Sequence, residues 1–127
     1  MEIIAVLAAA AVTWAIGAAW YGIVSKPWMA ASGVTAEQAR AMPKSIYLLS
    51  YLCFVVLMAF AQYVYFLADV QSWSEALVMG AGVGAFFGLP WMAVNNMYTG
   101  RPMMLTAIDG AYAVVGVAAG SAVLGLF

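Results

Sequence analysis

Four long stretches of the chain are almost free of charged side chains, and this feature limits the possible folds more than any other. The stretches hold 22, 24, 23 and 24 residues and cover residues 3–24, 45–68, 76–98 and 103–126. Asp109, in the fourth stretch, is the one charged residue within them. A helix of this length reaches roughly 33–36 Å, which is enough to cross a hydrocarbon core of about 30 Å. The pattern therefore predicts four transmembrane helices.

A membrane-spanning β-barrel is the alternative architecture, and the sequence does not favour it. Barrel strands alternate apolar and polar side chains at every second position. Residues 5–12 and 52–61 are apolar without such alternation. The short second and third connections predict that sequential helices are antiparallel neighbours. The predicted fold is an all-α membrane protein, a single domain over residues 1–127 in which four transmembrane helices form an antiparallel bundle.

The composition excludes several classes of protein. Hydrophobic residues make up 68% of the chain and charged residues 7%, whereas soluble domains carry about 25% charged residues. So short a chain cannot bury this much apolar surface from water. The 4 basic side chains create no cationic surface for nucleic acid. With no His and 1 Cys, the sequence predicts no catalytic residues, no metal site, no disulfide and no cofactor.

The first span resembles the apolar part of a secretory signal, but two features argue against that interpretation. Signals begin with a positively charged segment, whereas this chain begins Met1-Glu2. The apolar run is also longer than the roughly 7–15 residues typical of signals. We expect the first span to be retained as a transmembrane helix.

The longest connection, residues 25–44, contains a signal for a short helix. Thr35 and Gln38 have the spacing of a capping box, in which two side chains satisfy backbone N–H groups at a helix start. Pro43 would end such a helix after about two turns. A helix here is predicted to lie on the membrane surface, and a polar loop with one frayed turn is the alternative.

The basic side chains predict the orientation of the chain. They all lie in the first and third connections, at Lys26, Arg40, Lys44 and Arg101. Positively charged loops stay in the cytoplasm. Connections 25–44 and 99–102 are therefore predicted to lie on the cytoplasmic side of the cell's inner membrane, and both termini on its outer side. Small exporters that insert both ways up need balanced loop charges. The asymmetry therefore favours a protein with a single orientation.

Small residues at spacing four predict how the helices pack. The third stretch contains Gly80, Gly84 and Gly88, and the fourth contains Gly116 and Gly120. Such strips let two helix backbones approach closely in a membrane. The sequence leaves open whether they pack within one chain or between chains. A homo-oligomer, or another membrane protein as partner, is predicted in addition to the lipid bilayer.

Pro90 interrupts the third stretch. A proline inside a helix removes one backbone hydrogen bond and leaves the carbonyl of Phe86 without its usual partner. The sequence predicts a kink at this point. A simple bend is favoured over a gating hinge.

Asp109 is the residue with the largest expected cost in a membrane. A carboxylate near the middle of the bilayer costs about 2.5–3.5 kcal/mol on insertion scales, so it generally faces protein or water. Helical spacing places Asp109 on the same face as Tyr112 and Gly116. We therefore expect its side chain to point into the bundle.

Asn95 and Asn96 are the predicted neighbours of Asp109. Asn95 continues the glycine strip of the third stretch and lies within about two helical turns of Asp109 in depth. A hydrogen bond from Asn95 would lower the cost of the carboxylate, and Tyr112 or Arg101 could serve instead. Two roles remain open for Asp109. It could be a structural link between helices or a site coupled to a proton or a substrate.

Several short segments resemble a known family. They are residues 17–22 (GAAWYG), 26–29 (KPWM), 35–37 (TAE), 101–102 (RP) and 109–112 (DGAY). This pattern resembles a bacterial family of small integral membrane proteins, domain of unknown function 1761, over nearly the whole chain. The resemblance implies a four-helix inner-membrane protein and brings no activity or cofactor. It marks a candidate site formed by Trp20, Tyr21, Trp28, Asn95, Asp109 and Tyr112.

The sequence favours a non-enzymatic inner-membrane protein that acts as an oligomer or as an accessory subunit. The alternative is a small permease or channel with a polar cluster around Asp109 and Asn95. A membrane enzyme acting on a lipid or quinone is a third interpretation, and the lack of His counts against it. The candidate ligand or polar-cluster residues are Asp109, Asn95, Asn96, Tyr112, Trp20, Tyr21, Trp28 and Arg101.

Overall fold

The structure is a computed structural model that describes residues 2–127, and these residues form helices and no strands. The elements are α1 Ile3–Ile23, α2 Ser25–Ser32, α3 Ala36–Ala41, α4 Ser45–Leu67, α5 Trp73–Val83, a π-helical segment Gly84–Gly88, α6 Leu89–Tyr98 and α7 Met103–Leu124. Within residues 2–127, α1, α4, α7 and the continuous helix Trp73–Tyr98 are long and apolar enough to cross a membrane. The predicted all-α fold with four such helices is confirmed. Their antiparallel arrangement in a bilayer remains a prediction.

The third membrane helix begins at Trp73, three residues before the predicted start at residue 76. The Ser72 hydroxyl accepts a hydrogen bond from the backbone N–H of Glu75 (3.2 Å). Glu75 lies in the first turn of α5, where the helix dipole favours a negative charge. The absence of charge was therefore too strict a criterion for the helix start.

The first connection contains two helices. The predicted capping box is present at α3, because Thr35 Oγ1 accepts from Gln38 N–H (3.1 Å) and Gln38 Oε1 accepts from Thr35 N–H (2.9 Å). No helix is predicted from the sequence over residues 25–32, yet α2 occupies them. Pro27 lies in the first turn of α2, where a missing N–H costs little. Gly33 ends α2 with φ 75°, a left-handed conformation that suits glycine.

Helix α7 lies at the centre of the fold. It packs against α1, α4 and the whole Trp73–Tyr98 helix, and it also contacts α2. Within the most apolar part of each helix, 39% of the residues are buried in α7 but only 6% in α4. Helix α4 packs on α1 and α7 without an extensive contact to α5 or α6 within the described residues. A space therefore separates α4 from α6.

Gly80, Gly84 and Gly88 of the third membrane helix face α7. A Cβ atom placed on Gly84 would lie 2.5 Å from the Ala113 carbonyl oxygen, so no side chain fits there. A Cβ atom on Gly80 would lie even closer to the Ser121 side chain. At Gly88 the nearest neighbour of such a Cβ is the Ala113 Cβ at 3.6 Å, an ordinary contact. The helices are thus tightly packed at the start of this strip and looser at its end.

Gly116 and Gly120 of α7 face α1. The Thr13 side chain lies close to both Gly116 and Gly120 and has 1% of its surface exposed. Its hydroxyl lies 3.0 Å from the Gly116 carbonyl oxygen, which accepts its hydrogen bond. The fully buried Met58 of α4 fills the remaining space beside Gly120. Both predicted glycine strips are therefore used inside a single chain.

Pro90 follows a local widening of its helix. The segment Gly84–Gly88 has π-helical hydrogen bonding, and the Leu89 N–H bonds to the Gly84 carbonyl, five residues back. Pro90 lies in the first turn of α6. A π-helical turn changes which carbonyls are bonded and often marks functional sites. The disturbance predicted at Phe86 thus takes the form of a π-helical segment before the proline.

Candidate functional site

A groove of about 900 Å³ lies between α4 and the π-helical and α6 part of the neighbouring helix. Its floor is the face of α7 formed by Asp109, Tyr112, Ala113 and Val117. Gly88, at the loosely packed end of the glycine strip, also lines the groove.

The two sides of the groove are apolar. Helix α4 contributes Phe54 and Leu57, and the opposite side contains Phe87, Trp91 and Met92. The Trp91 side chain is 74% exposed and Phe87 is exposed to the same degree. These rings are therefore held mainly from one side and leave apolar surface toward the groove and the exterior.

Asp109 is the one carboxylate on the groove, and Tyr21 is its partner. The Tyr21 hydroxyl donates a hydrogen bond to Asp109 Oδ1 at 2.5 Å. No Lys or Arg of the described residues lies within 4.0 Å of the carboxylate. A carboxylate has room for about four hydrogen bonds. Asp109 is only partly buried, so it keeps acceptor capacity on the groove side.

A row of four aromatic rings runs along one side of the site. Tyr21 contacts Trp28 edge to face, with 5.9 Å between ring centroids. It contacts Tyr112 in the same manner at 5.6 Å, and Tyr112 contacts Phe54 at 6.1 Å. Edge-to-face pairs at these distances are favourable. The row connects α2, α1, α7 and α4, and it fixes the position of the Tyr21 hydroxyl.

Tyr112 is held by α1. Its hydroxyl donates a hydrogen bond to the Thr13 carbonyl at 2.7 Å. A Cβ atom on Gly17 would lie 2.5 Å from that hydroxyl oxygen, so Gly17 provides the space that Tyr112 occupies. The position of the tyrosine ring therefore depends on a glycine in the neighbouring helix.

Trp20 supports the site without lining the groove. Its indole N–H donates to the Ile108 carbonyl at 3.0 Å. Ile108 precedes Asp109 in the chain, so this contact holds the last turn of α1 against the Asp109 backbone. Together with the Tyr21 contact, it explains why the Trp20-Tyr21 pair lies beside the carboxylate.

The structure does not bring Asn95 or Arg101 to the site. Both side chains are exposed at the end of α6 and in the turn after it, and the described residues contain no hydrogen bond between Asn95 and Asp109. Asn96 lies outside the groove and donates to the Thr106 hydroxyl at 2.9 Å. The predicted bond between Asn95 and Asp109 is therefore absent, and a different hydrogen bond, from Asn96 to Thr106, joins the third and fourth membrane helices. The polar cluster around Asp109 and Asn95 is not formed.

Three aromatic residues of the groove were missed from the sequence: Phe54, Phe87 and Trp91. In a hydrophobic helix, an aromatic residue facing a groove cannot be distinguished by hydropathy from one facing lipid. The position of Trp91 directly after Pro90 was the nearest available signal. It indicated a disturbed helix and no particular direction of the side chain.

A second cavity of about 520 Å³ lies at the opposite end of the bundle, between Glu2, Gln62, Tyr65 and Phe127. Gln62 accepts a hydrogen bond from the Glu2 backbone N–H (3.2 Å), and Tyr65 pairs with Ser121 (2.7 Å). Within the described residues, no three His, Cys, Asp or Glu side chains come together in either region. The larger groove offers a single carboxylate acceptor surrounded by aromatic and aliphatic surface.

The fold has four helices able to cross a membrane, as in a multi-pass membrane protein, and a ligand-sized opening beside one carboxylate. The chain matches the family described as "Protein of unknown function (DUF1761)" over residues 4–125, and it belongs to this family. The resemblance seen in the sequence is thereby confirmed over nearly the whole chain. No curated protein and no solved structure matches it.

Proposed function

We propose that the protein is a non-enzymatic integral membrane protein that binds an amphipathic molecule from the bilayer in the groove beside Asp109. One observation carries the proposal: an apolar groove of about 900 Å³ has the hydrogen-bonded pair Asp109 and Tyr21 among its lining residues. Ligand sites typically have volumes of about 300–1,000 Å³, mainly apolar walls and a few well-placed polar groups. The groove fits this description.

The arrangement of the groove suggests how a ligand lies in it. Asp109 and Trp28 are at one end, and Val117 is eight residues further along α7, roughly 12 Å away. The polar end of a ligand would be placed at Asp109. Its hydrocarbon part would extend toward Val117 and Leu57, along surfaces that offer only apolar contacts.

Access to the groove is lateral. Because α4 and α6 have no extensive contact, the space between them faces the hydrocarbon when the four helices cross a bilayer. A molecule dissolved in the membrane can then enter without passing through water. This route favours amphiphiles over water-soluble metabolites.

We also propose that the protein lies in a bacterial inner membrane with connections 25–44 and 99–102 in the cytoplasm and both termini outside. All 4 basic side chains belong to these two connections, and all of them are exposed. This orientation places Asp109, about 9 Å from the start of α7, in the cytoplasmic half of the membrane. The polar end of the ligand would lie in the same half.

A second candidate function, an oligomeric or accessory membrane subunit, has its own support. Ala11, Ala15, Ala18 and Gly22 of α1 are exposed, and their spacing suits close contact with another helix. In a background where the exposed Cys53 is replaced by Ser, Ala18→Cys should form a disulfide-linked dimer in membranes. Absence of the dimer there would exclude α1 as the contact face.

Native mass spectrometry with a dodecyl amphiphile tests the proposed binding. Gly88→Leu adds a side chain to the groove wall, and its Cβ meets the nearest atom at 3.6 Å. Gly82→Leu is the matched control, because a Cβ at Gly82 has no neighbour within 4 Å and Gly82 does not line the groove. We expect a one-to-one adduct with the native protein and Gly82→Leu, and none with Gly88→Leu. An equal adduct in all three proteins would contradict the proposal.

A further inference from the structure

We propose that the ligand of the groove is a cationic amphiphile, with an ammonium-type headgroup and a hydrocarbon tail. The inference rests on the proposed function and specifies the chemistry of the same site. Three features of the groove support it: the unbalanced charge of Asp109, the aromatic residues around it, and the direction of the tyrosine hydrogen bonds.

The charge of Asp109 is not balanced within the described residues. No Lys or Arg comes within 4.0 Å of it, and the basic side chains are exposed in the connections. A charge taken out of water is unfavourable unless it is paired. A cationic headgroup in the groove would provide the counter-charge that the chain lacks.

Aromatic rings line the same groove as the carboxylate. Tyr21, Trp28, Tyr112, Phe87 and Trp91 all contribute to its walls or floor. The faces of aromatic rings carry partial negative charge and attract organic cations. The rings therefore favour the same sign of charge as Asp109, and they also favour an alkylated cation over a small hydrated one.

The tyrosine hydroxyls argue against an anionic or carbonyl headgroup. The Tyr21 hydroxyl donates to Asp109 and the Tyr112 hydroxyl donates to the Thr13 carbonyl. Their protons are therefore already used within the protein. An anion would also be repelled by the Asp109 carboxylate.

The test compares dodecylamine, dodecanol and dodecanoate, which share a chain length and differ in the charge of the headgroup at neutral pH. Binding to the native protein is measured by native mass spectrometry over a concentration series. We expect dodecylamine to bind about tenfold or more tightly than dodecanol, and dodecanoate to bind most weakly. Asp109→Asn should remove the advantage of the amine, and Asp69→Asn, at an exposed acid outside the groove, should retain it.

The outcomes separate this inference from the proposed function. Equal affinity of the native protein for the amine and the alcohol, with both lost in Gly88→Leu, would overturn the cationic preference and leave the binding groove in place. Absence of binding by all three amphiphiles would overturn both. Because the comparison of headgroups uses the native protein, it decides the question even where Asp109→Asn fails to fold.

Discussion

Tyr65 and Tyr21 each form a hydrogen bond with a residue of α7, but their surroundings differ. The Tyr65 hydroxyl lies 2.7 Å from Ser121 Oγ, and Ser121 is fully buried. The Tyr21 hydroxyl bonds to Asp109, which is partly buried beside the groove. In the first region, Gly80 brings its helix so close to Ser121 that no side chain fits between them, while Tyr65 also borders the second cavity. In the second, the space between α4 and α6 leaves part of the acceptor capacity unused.

The comparison indicates how a structural polar contact can be distinguished from a binding site. Ser121 and Tyr65 satisfy each other, so their contact contributes to stability and offers little to a ligand. Asp109 is bonded on one side and faces the groove on the other. The decisive difference is the unused capacity of Asp109 for hydrogen bonds and for pairing its charge.

The largest effect is expected from adding a methyl group in the packed region. In Gly84→Ala the new Cβ would lie 2.5 Å from the Ala113 backbone oxygen, so the helices must separate. Overpacking of this kind costs about 1–3 kcal/mol. Unfolding in mixed detergent micelles, followed by circular dichroism, measures the loss. Gly82→Ala, with no neighbour within 4 Å, is the control, and equal stability of the two variants would show that this helix pair is not closely packed.

The next effect concerns the hydrogen bond between Tyr65 and Ser121. A double-mutant cycle with Tyr65→Phe and Ser121→Ala should give a coupling energy of about 0.6 kcal/mol, with roughly 1.7 kcal/mol as the upper limit for such bonds in membranes. The same variants should bind amphiphiles with unchanged affinity, because Ser121 and Tyr65 do not line the groove. A change in amphiphile affinity without a change in stability would show that the Tyr65–Ser121 region takes part in binding and is not a structural contact.

A smaller effect on stability is expected at the groove. Asp109→Asn should change the free energy of unfolding by less than about 1 kcal/mol, since removing an unbalanced charge offsets the weaker bond to Tyr21. The measurement is the same unfolding titration. A loss clearly larger than that of the Tyr65–Ser121 pair would make Asp109 a structural link between helices and not a binding residue.

The smallest expected change in stability comes from a residue outside the groove that positions one of the groove's side chains. Gly17→Ala places a Cβ against the Tyr112 hydroxyl, and the ring can move, so we expect a stability loss of about 0.5 kcal/mol. Amphiphile affinity should nevertheless fall about threefold, because Tyr112 belongs to the floor. Gly22→Ala, where a Cβ meets nothing within 4 Å, should change neither quantity. Unchanged amphiphile affinity in Gly17→Ala would show that Tyr112 is not part of the binding site.

The sequence predicted the elements well because their causes are local. Helix length follows from continuous apolar stretches, and the α3 capping box follows from two residues three positions apart. Asp109, Tyr21, Trp28 and Tyr112 were also singled out and lie together at the groove. A charge inside an apolar span is conspicuous in any sequence, and the aromatic residues belonged to recognisable segments.

The features that could not be predicted from the sequence are those that depend on which faces of two helices meet. Asn95 was preferred over Asn96, although these neighbours differ by about 100° around the helix and only Asn96 meets α7. The space between α4 and α6 depends on the absence of packing, which no residue pattern encodes directly. The direction of Trp91 depends on the π-helical turn before it.

The central claim is that the Asp109 carboxylate faces a groove that is open to the hydrocarbon. A lipid-soluble carbodiimide, which modifies carboxyl groups reachable from within a membrane, tests this claim, and peptide mapping assigns the label among the 5 acidic side chains. We predict modification of Asp109 in native membranes, retained in Gly82→Leu and abolished in Gly88→Leu. Asp109 without label in the native protein, or labelled to the same extent in Gly88→Leu, would contradict the account.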